Sequence, residues 1–346
     1  MTHRLGGLGG QLEAPLLITN LTNVYYLTGF DSSNAALLVQ PGGEATLFTD
    51  FRYVEEAQAV EGVEVVLTKR AMMLDVGERL SGKVQFEADV LPYLEWQRLS
   101  KGGAKLIATT GLVDGLRALK DKDELAKIAR AAKIADRGLE ALTAETWVGR
   151  SERELAWRLR ELLHAHGADD LAFDSIVASG ENGALPHAHP TDRIIETRTL
   201  VTIDWGARVD GYYSDCTRTF STGFPPDRLR DAYDVCLAAQ VRACEGIRAG
   251  MTGVEADALA REPITSAGFG GNFGHGLGHG VGLQVHEAPR LSTESTDTLE
   301  AGHVVTIEPG IYLPGIGGVR IEDLAVVGDD GVELLTSFPK TLIDVS

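Results

Sequence analysis

Cysteine is scarce in this chain. Cys216, Cys236 and Cys244 are the three present in 346 residues, an odd number with no CxxC pair. A disulfide framework is therefore not expected, and a reducing compartment, the cytoplasm, is. Long apolar runs are missing as well. None approaches the roughly 20 residues of a membrane span, and the opening MTHRLGGLGGQLEAPLL has no apolar stretch long enough for a signal peptide. Positive charge is in deficit, with 32 Lys and Arg against 50 Asp and Glu, for a formal charge of −18. Such a surface repels nucleic acid and anionic lipid, so neither nucleic acid nor membrane is expected as a partner.

What remains is an ordinary globular composition, 44% hydrophobic, and a length suited to about two domains. The first third alternates strand-like runs (EAPLLITN, AALLVQ, EATLFTD, VEVVLTK, KVQFEAD) with helical text such as FRYVEEAQAV. That alternation implies an α/β layer with a mixed or parallel sheet. Near residue 118 the pattern changes. Leu125, Ile128, Ala132, Ala135, Leu139 and Leu142 recur at helical spacing, and Ser151 with Glu154 writes a capping box ahead of a second helix. Helical text returns at 226–249 and again from Thr252. Beyond Leu171 the strands come mostly as hairpins. The expected division is an α/β domain over 1–118 and an α+β domain over 119–346.

The second domain writes one phrase twice: VTIDWG at 201–206 and VTIEPG at 305–310. In VTIDWGARVDGYYSDCTRTF, Asp210-Gly211 is a two-residue hairpin turn. Centring the hairpin there sets Asp215 opposite Gly206, two residues along from Asp204, so both carboxylates share a face. In VTIEPGIYLPGIGGVRIED, a turn over Pro314–Gly318 sets Glu308 and Glu322 almost opposite each other. A protein with 50 acids puts many of them on solvated strands, but the repeated frame and the shared facing argue otherwise here. Four converging carboxylates raise one another's pKa in a dry site. Two divalent cations resolve that charge, with oxygen ligands and some nitrogen.

The nitrogen has a source in GFGGNFGHGLGHGVGLQVH, residues 268–286, which holds His275, His279 and His286. Neutral imidazole suits borderline divalent metals. This segment has neither GxGxxG nor GxxxxGK[ST], so it is no phosphate cradle. HEAPR begins like HExxH, but Arg290 stands where the second histidine belongs and Pro289 breaks a helix. A further pair, His187 and His189, lies in the proline-bracketed GENGALPHAHP.

In that order, Asp204, Asp215, His279, Glu308 and Glu322 resemble the five-ligand set of the pita-bread metallopeptidases, peptidase family M24. The likeness spans residues 120–340, and the first third resembles the N-terminal domain of the creatinase, prolidase and aminopeptidase P branch. The resemblance implies a creatinase-like catalytic domain with an internal pseudo-two-fold duplication. It implies two divalent ions, manganese first, cobalt or zinc as alternatives. Asp204 would be a bidentate ligand, Asp215 and Glu322 bridging ligands, and His279 and Glu308 ligands of the other metal. His187 and His286 would contact substrate and tetrahedral intermediate, Glu308 would relay a proton, His275 would line the pocket, and Arg320 would support the acids. Arg290 resembles the arginine that clamps the free carboxylate of a dipeptide. The expected reaction is hydrolysis of the bond before proline in Xaa-Pro dipeptides, by a homodimer. The alternative is an Xaa-Pro aminopeptidase acting on longer peptides. A metal-free peptide-binding pseudoenzyme is the third reading, opposed by five filled ligand positions.

Overall fold

The computed structural model describes residues 2–346. The chain divides into two compact units, Met1–Arg117 and Ala118–Ser346. The first holds a six-stranded sheet of β1 (Leu16–Ile18), β2 (Ala35–Val39), β3 (Ala45–Thr49), β4 (Val63–Leu67), β5 (Lys83–Glu87) and β6 (Lys105–Thr109), ordered β4-β3-β2-β1-β5-β6. It is mixed, as expected: β1-β2 and β2-β3 run antiparallel, and the other neighbours parallel. Leu17, Ala36, Leu38 and Phe48 pack against Met73, Val76 and Leu99 of the helices Met72–Arg79 and Tyr93–Leu99. The sequence reading missed β6. It also made FRYVEEAQAV too long a helix, since only Val54–Ala57 is helical. Asp50 explains the shortfall. It accepts from the Arg52 backbone N–H at 2.9 Å and from the Arg52 guanidinium at 2.7 Å, which holds residues 50–52 in a side-chain-stabilised turn.

The second unit begins with the helices Lys122–Thr143 and Glu152–Ala165, followed later by Asp227–Gly246 and Gly253–Ser266. Complete capping boxes open three of these helices: Asp121 with Glu124, Ser151 with Glu154, and Thr252 with Glu255. Each pairs two otherwise orphaned backbone N–H groups, so these helices start where the sequence says they do. The strands are β7 (Asp170–Leu171), β8 (Ile176–Ser179), β9 (Leu200–Trp205), β10 (Ala207–Val209), β11 (Tyr212–Tyr213), β12 (Cys216–Ser221), β13 (Gly278–Gly280), β14 (Glu287–Leu291), β15 (Val304–Ile307), β16 (Gly310–Leu313), β17 (Gly317–Arg320), β18 (Asp323–Val327) and β19 (Val332–Leu334).

Two long hairpins organise the unit. The first runs through β9 and β10, turns at Asp210 and Gly211, and returns through β11 and β12. Both turn residues have positive φ, +50° and +82°, the conformation of the mirror-image hairpin turn. Arg208 pairs with Tyr213 and Trp205 with Cys216, the register that sets Asp215 against Gly206. The second runs through β15 and β16 and returns through β17 and β18, with Ile307 paired to Asp323 and Gly310 to Arg320. Its turn is tighter than the sequence reading allowed. Gly317 and Gly318 belong to β17, so the connection is 314–316, and the shorter turn brings Glu308 and Glu322 directly into register.

Both hairpin ladders are interrupted at the acids. Glu308-Pro309 separates β15 from β16, Ile321-Glu322 separates β17 from β18, and Ser214-Asp215 separates β11 from β12. Proline has no N–H for a ladder, which helps to open the strand beside Glu308. The hairpins meet at these breaks: the Glu322 N–H donates to the Thr217 carbonyl at 3.0 Å. The helices cover the outside, where Trp147, Leu155, Leu159, Trp205 and Phe220 form one core and Leu229, Cys236, Ala260, Val305 and Ile321 lie in another.

Candidate metal centre

Oxygen atoms of Asp204, Asp215 and Glu322 lie within 4.8 Å of one another. Asp215 and Glu322 are buried, and Asp204 is nearly so. Glu308 completes the group through His279, whose Nε2 lies 3.3 Å from a Glu308 oxygen and 3.8 Å from an Asp215 oxygen. The other ring nitrogen of His279 faces the Gly280 carbonyl at 3.1 Å, which points Nε2 at the acids. Gly278 and Gly280 flank this histidine for want of space. A Cβ on Gly278 would meet the Thr306 carbonyl at 2.0 Å, and one on Gly280 the Ala288 carbonyl at 2.1 Å. Only glycine lets β13 press this closely between β14 and β15.

Arg320, expected beside the acids, holds them together with Thr217, Thr306 and Tyr312, which the sequence reading passed over. Arg320 donates to Asp204 Oδ2 at 2.6 Å and to Thr217 Oγ1 at 3.0 Å. Thr217 donates onward to Glu322 at 2.6 Å, and Thr306 donates to Glu308 at 3.2 Å. Arg320 also donates to the Pro186 carbonyl at 3.1 Å and to the Tyr312 hydroxyl at 2.9 Å. That hydroxyl lies 2.9 Å from His275 Nε2, and His275 Nδ1 faces the Gly276 carbonyl at 2.8 Å. Both ring nitrogens of His275 are thus engaged within the chain. Asp257 and Arg261 fix the histidine segment from behind. Asp257 accepts from Leu277 N–H at 3.0 Å, and Arg261 donates to the Phe273 and His275 carbonyls at 2.9 and 2.6 Å. Asp257 and Arg261 carried a readable signal, an i,i+4 acid–arginine pair on one helix.

Burial, and then mutual repulsion, pushes Asp215 well above the ordinary carboxylate range. Glu322 rises for the same two reasons. Asp204 rises through burial, partly offset by Arg320. Burial also opposes ionisation of Glu308, but the His279 hydrogen bond and charge outweigh it and bring Glu308 down to about 2. Within the cluster one oxygen, Asp204 Oδ1, is buried without a hydrogen-bond partner among the described residues. A buried carboxylate oxygen left unpaired costs free energy that a cation removes. The orphaned oxygen, the crowded like charges and the directed imidazole all fit divalent cations with oxygen and nitrogen ligands.

The remaining expected site residues lie at the surface of this unit. His187 and His286 are exposed. The His286 ring stands 4.3 Å from that of His279, centroid to centroid. Partial desolvation by its neighbours lowers the pKa of His286, and the charges of His279 and His187 lower it further against the opposing pull of Glu308. Arg290 is exposed on β14, directly across the pairing from His279. Its backbone is tied down, N–H to Asp297 at 2.7 Å and carbonyl to Ser295 at 2.6 Å. Among the described residues its guanidinium has no hydrogen-bond or ion-pair partner. His189 is exposed too, and nothing brings it to the cluster.

Two like hairpins converge four carboxylates and an imidazole, a donor set that could hold divalent cations, and comparison with known proteins gives the family. Residues 126–329 match metallopeptidase family M24, and residues 12–119 match the creatinase/prolidase N-terminal domain. The chain belongs to metallopeptidase family M24 and has its pita-bread fold. It is similar to a solved structure of an Xaa-Pro dipeptidase from Bacillus anthracis, with TM-score 0.95 and 39% identity, covering 99% of each chain. An Xaa-Pro dipeptidase of Pyrococcus furiosus is 37% identical over 332 residues, covering 95% of this chain and 94% of that one. A solved X-Pro aminopeptidase from Thermotoga maritima has TM-score 0.87 and 34% identity, covering 99% of each chain.

Proposed function

We propose that this metallopeptidase hydrolyses the peptide bond preceding proline, with Xaa-Pro dipeptides as its first substrate class. The N-terminal domain would be 1–118 and the catalytic domain 119–346. Asp204, Asp215, His279, Glu308 and Glu322 would hold two divalent ions, manganese first and cobalt or zinc as alternatives. Such a pair, when bound, supplies Lewis acidity that lowers the pKa of water and polarises a carbonyl. The chain's own groups do the rest. His187 and His286 donate to the oxygen that gains charge in the transition state. In an Xaa-Pro bond the leaving nitrogen is tertiary in the peptide and must acquire a proton. Glu308, anchored by Thr306 and His279, carries that proton. His275, fixed by Tyr312, walls the site.

Arg290 carries the choice of a dipeptide. A guanidinium without a partner, exposed and paired across a strand from a metal-site histidine, suits the free carboxylate of a two-residue substrate. The relatives named Xaa-Pro dipeptidase support that reading. Arg290→Ala is expected to lower kcat/KM for Xaa-Pro by about 100-fold, within the range for truncating one partner of a charge pair. Xaa-Pro-Yaa, whose carboxylate lies elsewhere, should change little. Unchanged dipeptide turnover, with tripeptides cleaved better throughout, would instead assign the chain to Xaa-Pro aminopeptidases, the reading favoured by the Thermotoga relative.

The proposed assembly is a homodimer and the proposed compartment the cytoplasm. The first follows the family resemblance and is measured by analytical ultracentrifugation. The second is consistent with three free cysteines. Among the described residues no helix is long and apolar enough to cross a membrane.

A further inference from the structure

The loop that carries His187 hangs from one buried carboxylate. Glu152 opens the helix Glu152–Ala165 and is 0% exposed. Its Oε1 accepts from Ser179 N–H at 2.7 Å, Ser179 Oγ at 2.9 Å and Asn182 Nδ2 at 3.1 Å. Its Oε2 accepts from Asn182 Nδ2 at 2.9 Å, Thr191 N–H at 3.0 Å and Thr191 Oγ1 at 2.7 Å. The donors sit at both ends of the segment 179–191, so one side chain closes the loop's base. Backbone contacts reinforce it: Glu152 N–H donates to the Arg193 carbonyl and Arg153 N–H to the Thr191 carbonyl, both at 3.0 Å. Toward its middle the loop is held by a different tie, the Pro186 carbonyl on Arg320, and Arg320 also grips Asp204. His187 follows Pro186 directly. Among the described residues the exposed imidazole has no hydrogen bond or ion pair of its own, so its position follows from the base, from that neighbouring tie and from the buried Ala188 beside it.

We infer that Glu152 is a positioning residue: it fixes the height of His187 over the metal cluster and acts on catalysis through that histidine. This rests on the proposed role of His187 in contacting substrate. A carboxylate is required because every donor needs an acceptor. An amide offers one acceptor oxygen and would turn an N–H₂ group toward donors. Misplacing a catalytic group by about 1 Å can cost roughly 100-fold.

A double-mutant cycle tests this, using the metal-loaded protein with metal content measured for every variant. Glu152→Gln should lower kcat/KM on an Xaa-Pro dipeptide by roughly 100-fold with no loss of bound metal. In the His187→Ala background the same change should lower it by no more than about twofold, because the residue it positions is gone. Equal losses in both backgrounds would overturn the inference and leave the role of His187 standing. Full activity of the His187→Ala single variant would overturn both. If Glu152→Gln fails to fold, Asn182→Ala removes a donor at the loop base, and the same non-additivity with His187→Ala is expected. Additive losses there would also overturn the inference.

Discussion

Asp215→Asn protein is expected to bind no metal pair and to lose turnover by roughly three orders of magnitude or more, as when one member of a cooperating set is removed. Its metal-free fold, by contrast, should be at least as stable as the parent's. Asp215 is buried, and burial and the charges of Glu322, Asp204 and Glu308 push its pKa well up. An amide of the same shape ends that repulsion and keeps the volume. The two halves of the prediction separate in one thermal-unfolding series. Metal added at about 100 times its Kd stabilises a binding protein by about 2.7 kcal/mol. For a unit of this size that is roughly 5–10 °C in Tm. The parent should show this rise and the variant none. A variant that titrates with two ions per chain in calorimetry, or that unfolds well below the metal-free parent, would break the link between the acids and the cations.

The two acid-bearing hairpins were legible because their signals are local. Asp210-Gly211 allows one turn type, the alternation on either side fixes a parity, and Trp205 pairs with Cys216 as that parity requires. In the second hairpin the turn is glycine-rich, and its chemistry left the end of the connection open by two residues. The ladder itself, through Ile307 and Asp323, settles the register. The helix starts at Ser151 and Thr252 were legible for the same local reason, a side chain answering a backbone N–H three residues on. What stayed hidden is nonlocal. Thr217 meets Glu322 across 105 positions, and Thr217 also accepts from Arg320 across 103. Tyr312 in GIYL looks like one more strand aromatic until Arg320 and His275 are placed on either side of its hydroxyl. Glu152 reads as a first-turn acid at a helix start, a role its neighbour Glu154 fills in the cap while Glu152 holds the His187 loop.

Arg218 left the clearest unread signal, a lone charge inside CTRTFS, a strand buried at every position. Its guanidinium is 2% exposed. It pairs with Asp323 at 2.8 Å and donates to the carbonyls of Thr217 at 2.9 Å, Phe338 at 2.6 Å and Pro339 at 3.0 Å, and also to the carbonyl of Glu322. One cation thereby ties β12, the break that carries Glu322, and the segment 338–339. Arg218→Met fills much of the same volume but leaves a buried carboxylate and several carbonyls short of a donor. Breaking a buried pair from one side costs about 3–5 kcal/mol. Asp323 keeps Lys340, Gln240 and Thr336 as partners, which places the expected loss at the lower end, about 3 kcal/mol. Denaturant unfolding of the metal-free protein measures it. Metal affinity should fall as well, because the peptide bearing Glu322 loses one of its anchors while all five proposed ligands remain. The second change Asp323→Leu should not restore the stability, since Lys340, Gln240 and Thr336 then lose the carboxylate they share, nor the metal affinity, since the Glu322 carbonyl still lacks its Arg218 donor. A single Arg218→Met variant with unchanged unfolding midpoint and unchanged metal affinity would show that Arg218 neither carries the fold here nor places Glu322.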